Sequence, residues 1–470
     1  MAAASHNSDA ALTGSIGRYG RRIGFWGLVV FLYASLAAGS GGIEEIVSAS
    51  GPGMAMWIFI LLPFVWGLPS VLVSAELSSA IPVEGGYVRW VRRALGPFWG
   101  FMSGWLNWFA SVFDGVIYPV LIADYIASMW PELAGPGSRS ALALTVIIAF
   151  GYLNFRGIRA VAFSSAIFMV LVLLPWIIFC LLAFPLAEQS PFTPLVGADR
   201  TPAEGLGVAL VLAMWFFSGY ELPSTASEEY EKSHRNLPWA LVVLLVLMSV
   251  SYILPLAAGL MVTTDWTTWE VGSLTAVASQ VGLAHGGPAL AAVLGTMIAL
   301  AVAVGSIALF NGLLVPYSRI PMVLAEEGDF PRLFARLHHR YRTPWFAILV
   351  NCALYALLHR FDFSQLVLLS MWNGIVVYLL IDLTLLVLRY REPDLERPFR
   401  IPGGTAGLAA VVVPLVIVSG WALWQSLREI WNEDSFRLLA ILFLGLVSGP
   451  VYYFLRTRYK RFGGPEDPRP

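Results

Sequence analysis

Charge is scarce in this sequence. Asp, Glu, Lys and Arg make up 13% of its 470 residues, where ordinary soluble domains carry roughly 25%. Hydrophobic residues reach 58%, more than a soluble core could use. A net charge of −1 supplies no global basic field, so nucleic acid is not an expected partner. Cysteine is nearly absent. Cys180 and Cys352 both sit inside apolar segments, which implies no disulfide framework. Catalytic patterns are missing as well: there is no metal-binding HExxH, no Gly-rich phosphate loop followed by Lys and no nucleophile elbow. The chain does not read as an enzyme, and no cofactor or metal is expected.

What is present is a succession of apolar stretches, each long enough for the roughly 20 residues a spanning helix needs. We place twelve: 23–50, 53–80, 97–128, 140–155, 158–185, 205–232, 236–262, 287–318, 344–359, 363–389, 405–426 and 436–456. The expected fold is an all-α polytopic membrane protein. Residues 1–22 are polar and end basic at Arg18, Arg21 and Arg22; the first apolar stretch follows with no small-residue cleavage site, as for a retained first span. An even number of spans puts both termini on one side. Of the 29 Lys and Arg, all but Arg139, Arg200, Arg360, Arg428 and Arg437 belong to the terminal segments and the loops after even-numbered spans. That asymmetry sets both termini in the cytoplasm, with the plasma membrane as the default location.

Two of these spans are interrupted. Gly39-Ser40-Gly41-Gly42-Ile43-Glu44-Glu45 breaks span 1, and Ser218-Gly219-Tyr220-Glu221 breaks span 6. Backbone left unpaired by such breaks is tolerated only where it faces protein or a water-filled cavity. Breaks in corresponding positions of two halves point to the binding site of a secondary transporter. With no nucleotide-binding segment, such a transporter must draw on an ion gradient or on exchange. The breaks divide the chain into two inverted five-helix repeats, 23–185 and 205–389, followed by a cytoplasmic loop, 390–404, and two appended helices within 405–456. Cytoplasmic segments 1–22 and 457–470 flank them, and the tail from Gly463 is rich in Pro and Gly. Val83 to Leu95 and segment 326–343 read as short basic amphipathic stretches lying along the membrane face.

Several motifs then carry a resemblance. They are Ala75-Glu76-Leu77 through Pro82-Val83-Glu84-Gly85-Gly86-Tyr87, Gly96-Pro97-Phe98-Trp99-Gly100, and Trp215-x-Phe217-x-Gly219-x-Glu221 with Asn236-x-Pro238. Ser318-Arg319 to Thr343-Pro344 and Arg397-Pro398-Phe399-Arg400-Ile401-Pro402-Gly403 complete the set. In this order they resemble the amino acid–polyamine–organocation transporter superfamily. Gly42-Ile43-Glu44-Glu45 and Trp108-Phe109 to Tyr118-Pro119-Val120-Leu121, with Asp114 between, are most similar to its polyamine-uptake branch of plants and protists, near the L-type amino acid transporters. The resemblance implies substrate held at the midplane between broken helices 1 and 6, and alternating access. Two departures stand out. Some proton-coupled relatives carry a Lys partway along span 5, and Ala160 to Phe184 contains none. L-type light chains carry a Cys after span 3, and residues 129–139 contain none, so no disulfide-linked glycoprotein subunit is expected.

Carboxylates within the hydrocarbon region cost at least about 2.5 kcal/mol each on insertion scales and are functional hypotheses by default. The candidates are Glu44, Glu45, Asp114, Asp124, Glu221 and Asp382, with Glu76 near the cytoplasmic end of span 2. Glu44 and Glu45 are about 100° apart on a helix, so one faces the cavity; we favour Glu45, with Glu44 capping the second arm or facing outside water. Ser218-x-x-Glu221 also fits a capping box, while the resemblance gives Glu221 a role toward cationic substrate or pH. Asp114 lies deep in span 3. Asp124 and Asp382 lie toward helix ends, where a solvated or ion-paired role is expected. Trp215 is placed to stack on substrate, since a Trp face adds about 1–2 kcal/mol against a desolvated ammonium; Tyr220 and Tyr118 are weaker forms of that idea. His338-His339, in an Arg-rich loop, reads as a solvated pair.

The expected substrate-binding set is Gly39, Ser40, Gly41, Gly42, Glu45, Asp114, Trp215, Ser218, Gly219, Tyr220 and Glu221, with Glu44, Glu76 and Glu221 as gating or proton-coupling candidates. The function expected is proton-coupled import of polyamines such as putrescine and spermidine. Clustered acids repel one another, which favours holding the coupled proton on one of them. The alternative is an amino acid transporter working by symport or exchange, in which the free N–H groups of the first break hold the substrate carboxylate.

Overall fold

The computed structural model describes residues 23–461, apart from 38–39, 84, 158, 198–200, 264 and 433–434. Among these the chain is helical, and its extended pairing is limited to an isolated bridge between Ile23 and Tyr230. Nine of the described helices are long and apolar enough to cross a membrane, and three shorter ones are also apolar. The chain is an integral, polytopic membrane protein.

Helices α1 (Phe25–Leu36) and α2 (Glu44–Ser50) flank the first break. They are followed by α3 (Pro52–Ala80), α4 (Gly86–Leu95), α5 (Pro97–Met129), α6 (Pro136–Arg156) and α7 (Arg159–Ala183). After them come α8 (Pro202–Phe216), α9 (Ser233–Val262), α10 (Ser273–Glu326), α11 (Trp345–Leu358), α12 (Phe363–Arg391), α13 (Gly404–Asn432) and α14 (Phe436–Arg461). Proline opens α3, α5, α6 and α8, where its missing N–H is an orphan anyway. Thr201 and Glu204 add a capping box at the start of α8. Within α3, Pro63–Gly67 forms a π-turn, a device that re-aims side chains. It carries Trp66 toward the second break.

Helix α10 holds a helix that hydropathy alone does not place. Gly286 and Gly287 leave helical geometry (φ −153° and +76°) just before Pro288, so the spanning arm begins where expected, but a separate arm from Ser273 precedes it.

Burial sorts centre from rim. The most apolar window of α5 is 83% buried and those of α10 and α12 are 67% buried, against 22% for α6 and α14. The central helix α5 packs against both α10 and α12, while α3 packs along α9. Leu357, Ile148, Leu181, Phe64 and Ile417 are exposed on the outside, as lipid-facing side chains would be.

The stretch ending at Leu95 does form an amphipathic helix. In α4, Tyr87, Val88, Trp90, Val91 and Ala94 are buried, while Arg89 and Arg92 pair with Glu327 and Asp329 and Arg93 with Glu392. Segment 326–343 does not. Gly328, at φ +74°, and Pro331 end the helical path, leaving a short 3-10 turn at Arg332–Ala335. Phe330, just before it, and Phe334, within it, make T-shaped contacts with Trp108.

Candidate functional site

Each break strands backbone groups that no longer have helical partners, and distant side chains take them up. At the first break, the Tyr252 hydroxyl donates to the Ala37 carbonyl (3.1 Å) and the Ser40 hydroxyl donates to that of Ser251 (2.6 Å). Gly42 turns the chain at φ +89°. Its N–H donates to Glu44 Oε2 (3.1 Å) and to the Tyr125 hydroxyl (3.3 Å), which in turn donates to Glu44 Oε1 (2.7 Å). The Leu274 N–H reaches the same oxygen at 3.3 Å. Gly39 lies outside the described residues. A Cβ on Gly42 would stand 2.6 Å from the Phe363 ring on left-handed backbone. Gly42→Ala is therefore expected to lower stability by roughly 1–3 kcal/mol from backbone strain alone. Thermal denaturation of the purified protein in detergent measures this, and an unchanged midpoint would refute it.

At the second break, α8 ends and the Phe217 carbonyl accepts from Trp66 Nε1–H (3.0 Å). The Gly219 N–H donates to the Tyr378 hydroxyl (2.5 Å). The chain resumes as a 3-10 turn, Leu222–Glu229, rather than as an α-helical arm. The capping box does not form: the Ser218 hydroxyl turns back to the Trp215 carbonyl (2.8 Å), and no side chain caps the turn.

Between the two breaks lies a cavity of about 50 Å³, lined among others by Gly41, Asp114, Tyr118, Trp215, Ser218 and Gly219. That volume holds a few waters at most, so the cavity must widen to admit anything larger. Asp114 is 7% exposed. Its carboxylate accepts from Trp215 Nε1–H (2.6 Å), the Tyr317 hydroxyl (2.6 Å) and the Tyr118 hydroxyl (3.1 Å). No Lys or Arg stands among the residues lining the cavity. Its three donors to Asp114 are all neutral.

Glu221 is buried beside this cavity, next to the lining residues Gly219 and Leu222. Asn107 donates to its Oε1 (3.3 Å), and its Oε2 has no partner. The other acids scatter. Glu45, expected in the cavity, is partly buried and accepts from the Ser364 hydroxyl (2.8 Å) at the start of α12. Glu44 is the inward-turned member of the pair. It is fully buried, yet it serves the Gly42 turn rather than the cavity wall. Asp124 is ion-paired with Arg139, as expected. Asp382 departs from expectation: it is 3% exposed, with an Oδ2 that no group partners, because that face of α12 is packed inside the bundle. Glu76 is wholly buried in an ionic knot. Arg389 binds it through two nitrogens (2.6 and 2.5 Å), Arg397 at 3.2 Å, and the Ile401 N–H at 2.8 Å.

Tyr220 points away from the cavity, its hydroxyl against Met248 Sδ at 3.9 Å. Trp215 lies between Phe363, edge-on at 5.6 Å, and Tyr118, tilted at 6.0 Å. Tyr317, Tyr125, Tyr378 and Asn107 escaped the reading of the sequence. They are polar groups on long apolar helices, and only their partners mark them out.

A membrane-embedded helical chain whose two mid-span breaks close on a small acid-bearing cavity has the construction of a transporter. The family model described as amino acid permease matches residues 23–444. The chain belongs to that family. It is 31% identical over 424 residues to the polyamine transporter RMV1 of Arabidopsis thaliana, covering 90% of this chain and 84% of that one. It is 30% identical over 437 residues to the polyamine transporter PUT1 of Oryza sativa subsp. japonica, covering 93% and 79%. A more distant relative is the serine/threonine exchanger SteT of Bacillus subtilis, 22% identical over 420 residues and covering 88% and 91%.

Proposed function

We propose that this permease imports polyamines of the putrescine and spermidine type by proton symport. The observation that carries the reading is the uncompensated carboxylate of Asp114 on the wall of the cavity between the breaks. An ammonium is the natural complement of a buried carboxylate held by neutral donors. One end of the substrate pairs with Asp114 and stacks on Trp215 and Tyr118; the other reaches toward Glu221, while Glu45 meets cations nearer the outer surface. The relatives named polyamine transporters support the same substrate class.

A second observation weighs against an amino acid substrate. Such a substrate needs free N–H groups for its carboxylate. Here the Gly42 N–H is already bound to Glu44 and the Gly219 N–H to Tyr378.

The architecture we assign has twelve spans, counting the broken pairs as one each. Two inverted five-helix repeats, 23–185 and 205–389, would be followed by α13 and α14, with both termini in the cytoplasm and the plasma membrane as host. Glu221, with its unpartnered oxygen, is the place for the coupled proton, and Glu76 belongs to the cytoplasmic gate.

Competition uptake in proteoliposomes tests the reading. Labelled putrescine is expected to accumulate under an inward proton gradient and to be displaced by unlabelled spermidine, with arginine and leucine ineffective. Uptake of leucine without putrescine would sink it in favour of an amino acid permease.

A further inference from the structure

Asp382 is the one carboxylate of the buried set that the site above leaves without a task. It lies on α12 one helical turn beyond Tyr378, on the same face, since residues four apart are neighbours on a helix. Tyr378 accepts the Gly219 N–H of the second break and lies against Glu221. Two turns further along that face stands Arg389, locked to Glu76. Asp382 thus occupies the interval between the central site and the ionic knot.

Its surroundings are unusual in what they fail to supply. Of the elements packed against α12, α3 brings Glu76 as a buried titratable group, α4 brings Tyr87, α5 brings Asp114, Tyr118 and Tyr125, and α8, α13 and α14 bring none among the described residues. Glu76 is paired with Arg389 and Arg397, and Asp114 is held by Trp215, Tyr317 and Tyr118. Among the described residues no ion pair involves Asp382. Its Oδ2 is a buried oxygen without a partner, as are Glu221 Oε2 and the Tyr87 hydroxyl beside Glu221. Buried polar atoms are rarely left unsatisfied without a reason, and inside a membrane protein an unpaired acid marks an ion or proton path. Glu221 Oε2 and the Tyr87 hydroxyl lie at the site, and Asp382 stands between Tyr378 and Arg389 along α12.

We propose that Asp382 carries the coupled proton from Glu221 to the cytoplasmic face, a role that rests on the symport reading. When the knot opens and water enters, Glu221 gives up its carboxyl proton to water and Oδ2 of Asp382 takes one from the same water, which is left unchanged. Asp382 then releases the proton to the cytoplasm. The emptied Glu221 is ready for the next cycle. Substrate never touches Asp382, so it governs coupling and not recognition.

The test uses the full chain in proteoliposomes with labelled putrescine. Counterflow at equal pH on both sides reads binding and alternation without a net proton; accumulation under an inward proton gradient reads coupling. Asp382→Asn is expected to keep counterflow within about twofold of the parent and to lose at least tenfold in gradient-driven accumulation. Asp382→Glu should recover it. Asp382→Asn with undiminished accumulation overturns the relay. So does a raised counterflow KM, which would make Asp382 a substrate ligand, or a loss of both activities that Asp382→Glu does not restore, which would make it a packing residue. A parent protein whose putrescine uptake ignores the gradient removes the symport reading itself, and counterflow then still reports on the substrate.

Discussion

Asp114→Asn is expected to reduce affinity for putrescine and its rate of uptake by on the order of 100-fold, the largest loss of any single change in the cavity. Truncating one partner of a buried charge pair typically costs 2–5 kcal/mol, and about 3 kcal/mol is roughly a hundredfold. The change isolates charge from architecture. An Asn oxygen can still accept from Trp215 Nε1–H, and the Tyr317 and Tyr118 hydroxyls, which donate to the other oxygen, can rotate to accept from an amide. Melting in detergent should therefore stay close to that of the parent while transport collapses. Binding of labelled putrescine to purified protein gives the affinity and proteoliposome uptake gives the rate. An Asp114→Asn protein with unaltered KM and rate would mean that the ammonium is held elsewhere, and the cavity between the breaks would lose its claim.

Much of this arrangement was legible because hydropathy and interruption are strong, local signals. The glycines around Gly42 and Gly219 declare themselves against an apolar background, and Asp114 is conspicuous as a charge inside a long helix. The orientation of Glu44 and Glu45 was not legible. Adjacent residues differ by a fixed angle, but which one turns inward depends on what the neighbouring helices offer. Tyr125 and the N–H of Leu274 offer hydrogen bonds to Glu44, and Ser364 offers one to Glu45. The capping box at Ser218 failed for a related reason. The motif presumes an α-helical turn after the break, and the chain makes a 3-10 turn instead. Asp382 was misread because position along a helix says nothing of azimuth. A place toward a helix end suggests solvent, but a buried face removes it.

Glu76 presents the other large effect, and here the expected loss is of stability. One wholly buried carboxylate serves two guanidinium groups, Arg389 at 9% and Arg397 at 4% side-chain exposure, and also binds the backbone at Ile401. Removing one partner of a buried ion pair typically costs 3–5 kcal/mol, because the remaining charge is left uncompensated. Glu76→Gln leaves two such charges, whereas Arg389→Gln leaves Glu76 with Arg397 still in place. The order of destabilisation is therefore predicted: Glu76→Gln by about 3–5 kcal/mol or more, with Arg389→Gln and Arg397→Gln each clearly less. Thermal melting of the three purified variants measures it. Equal losses would mean that each arginine holds its place through its own backbone contacts, such as those of Arg397 to the carbonyls of Leu388, Glu392 and Leu395. The knot joins the end of α3 to the end of α12 and to the loop at Ile401, three segments distant in sequence. Loosening it should raise the rate at which the cytoplasmic side opens, so a surviving fraction of Glu76→Gln should leak protons more readily than the parent. A pH-sensitive dye inside the vesicles reads that leak directly, and a variant as proton-tight as the parent would show that the knot stabilises the fold without closing the path.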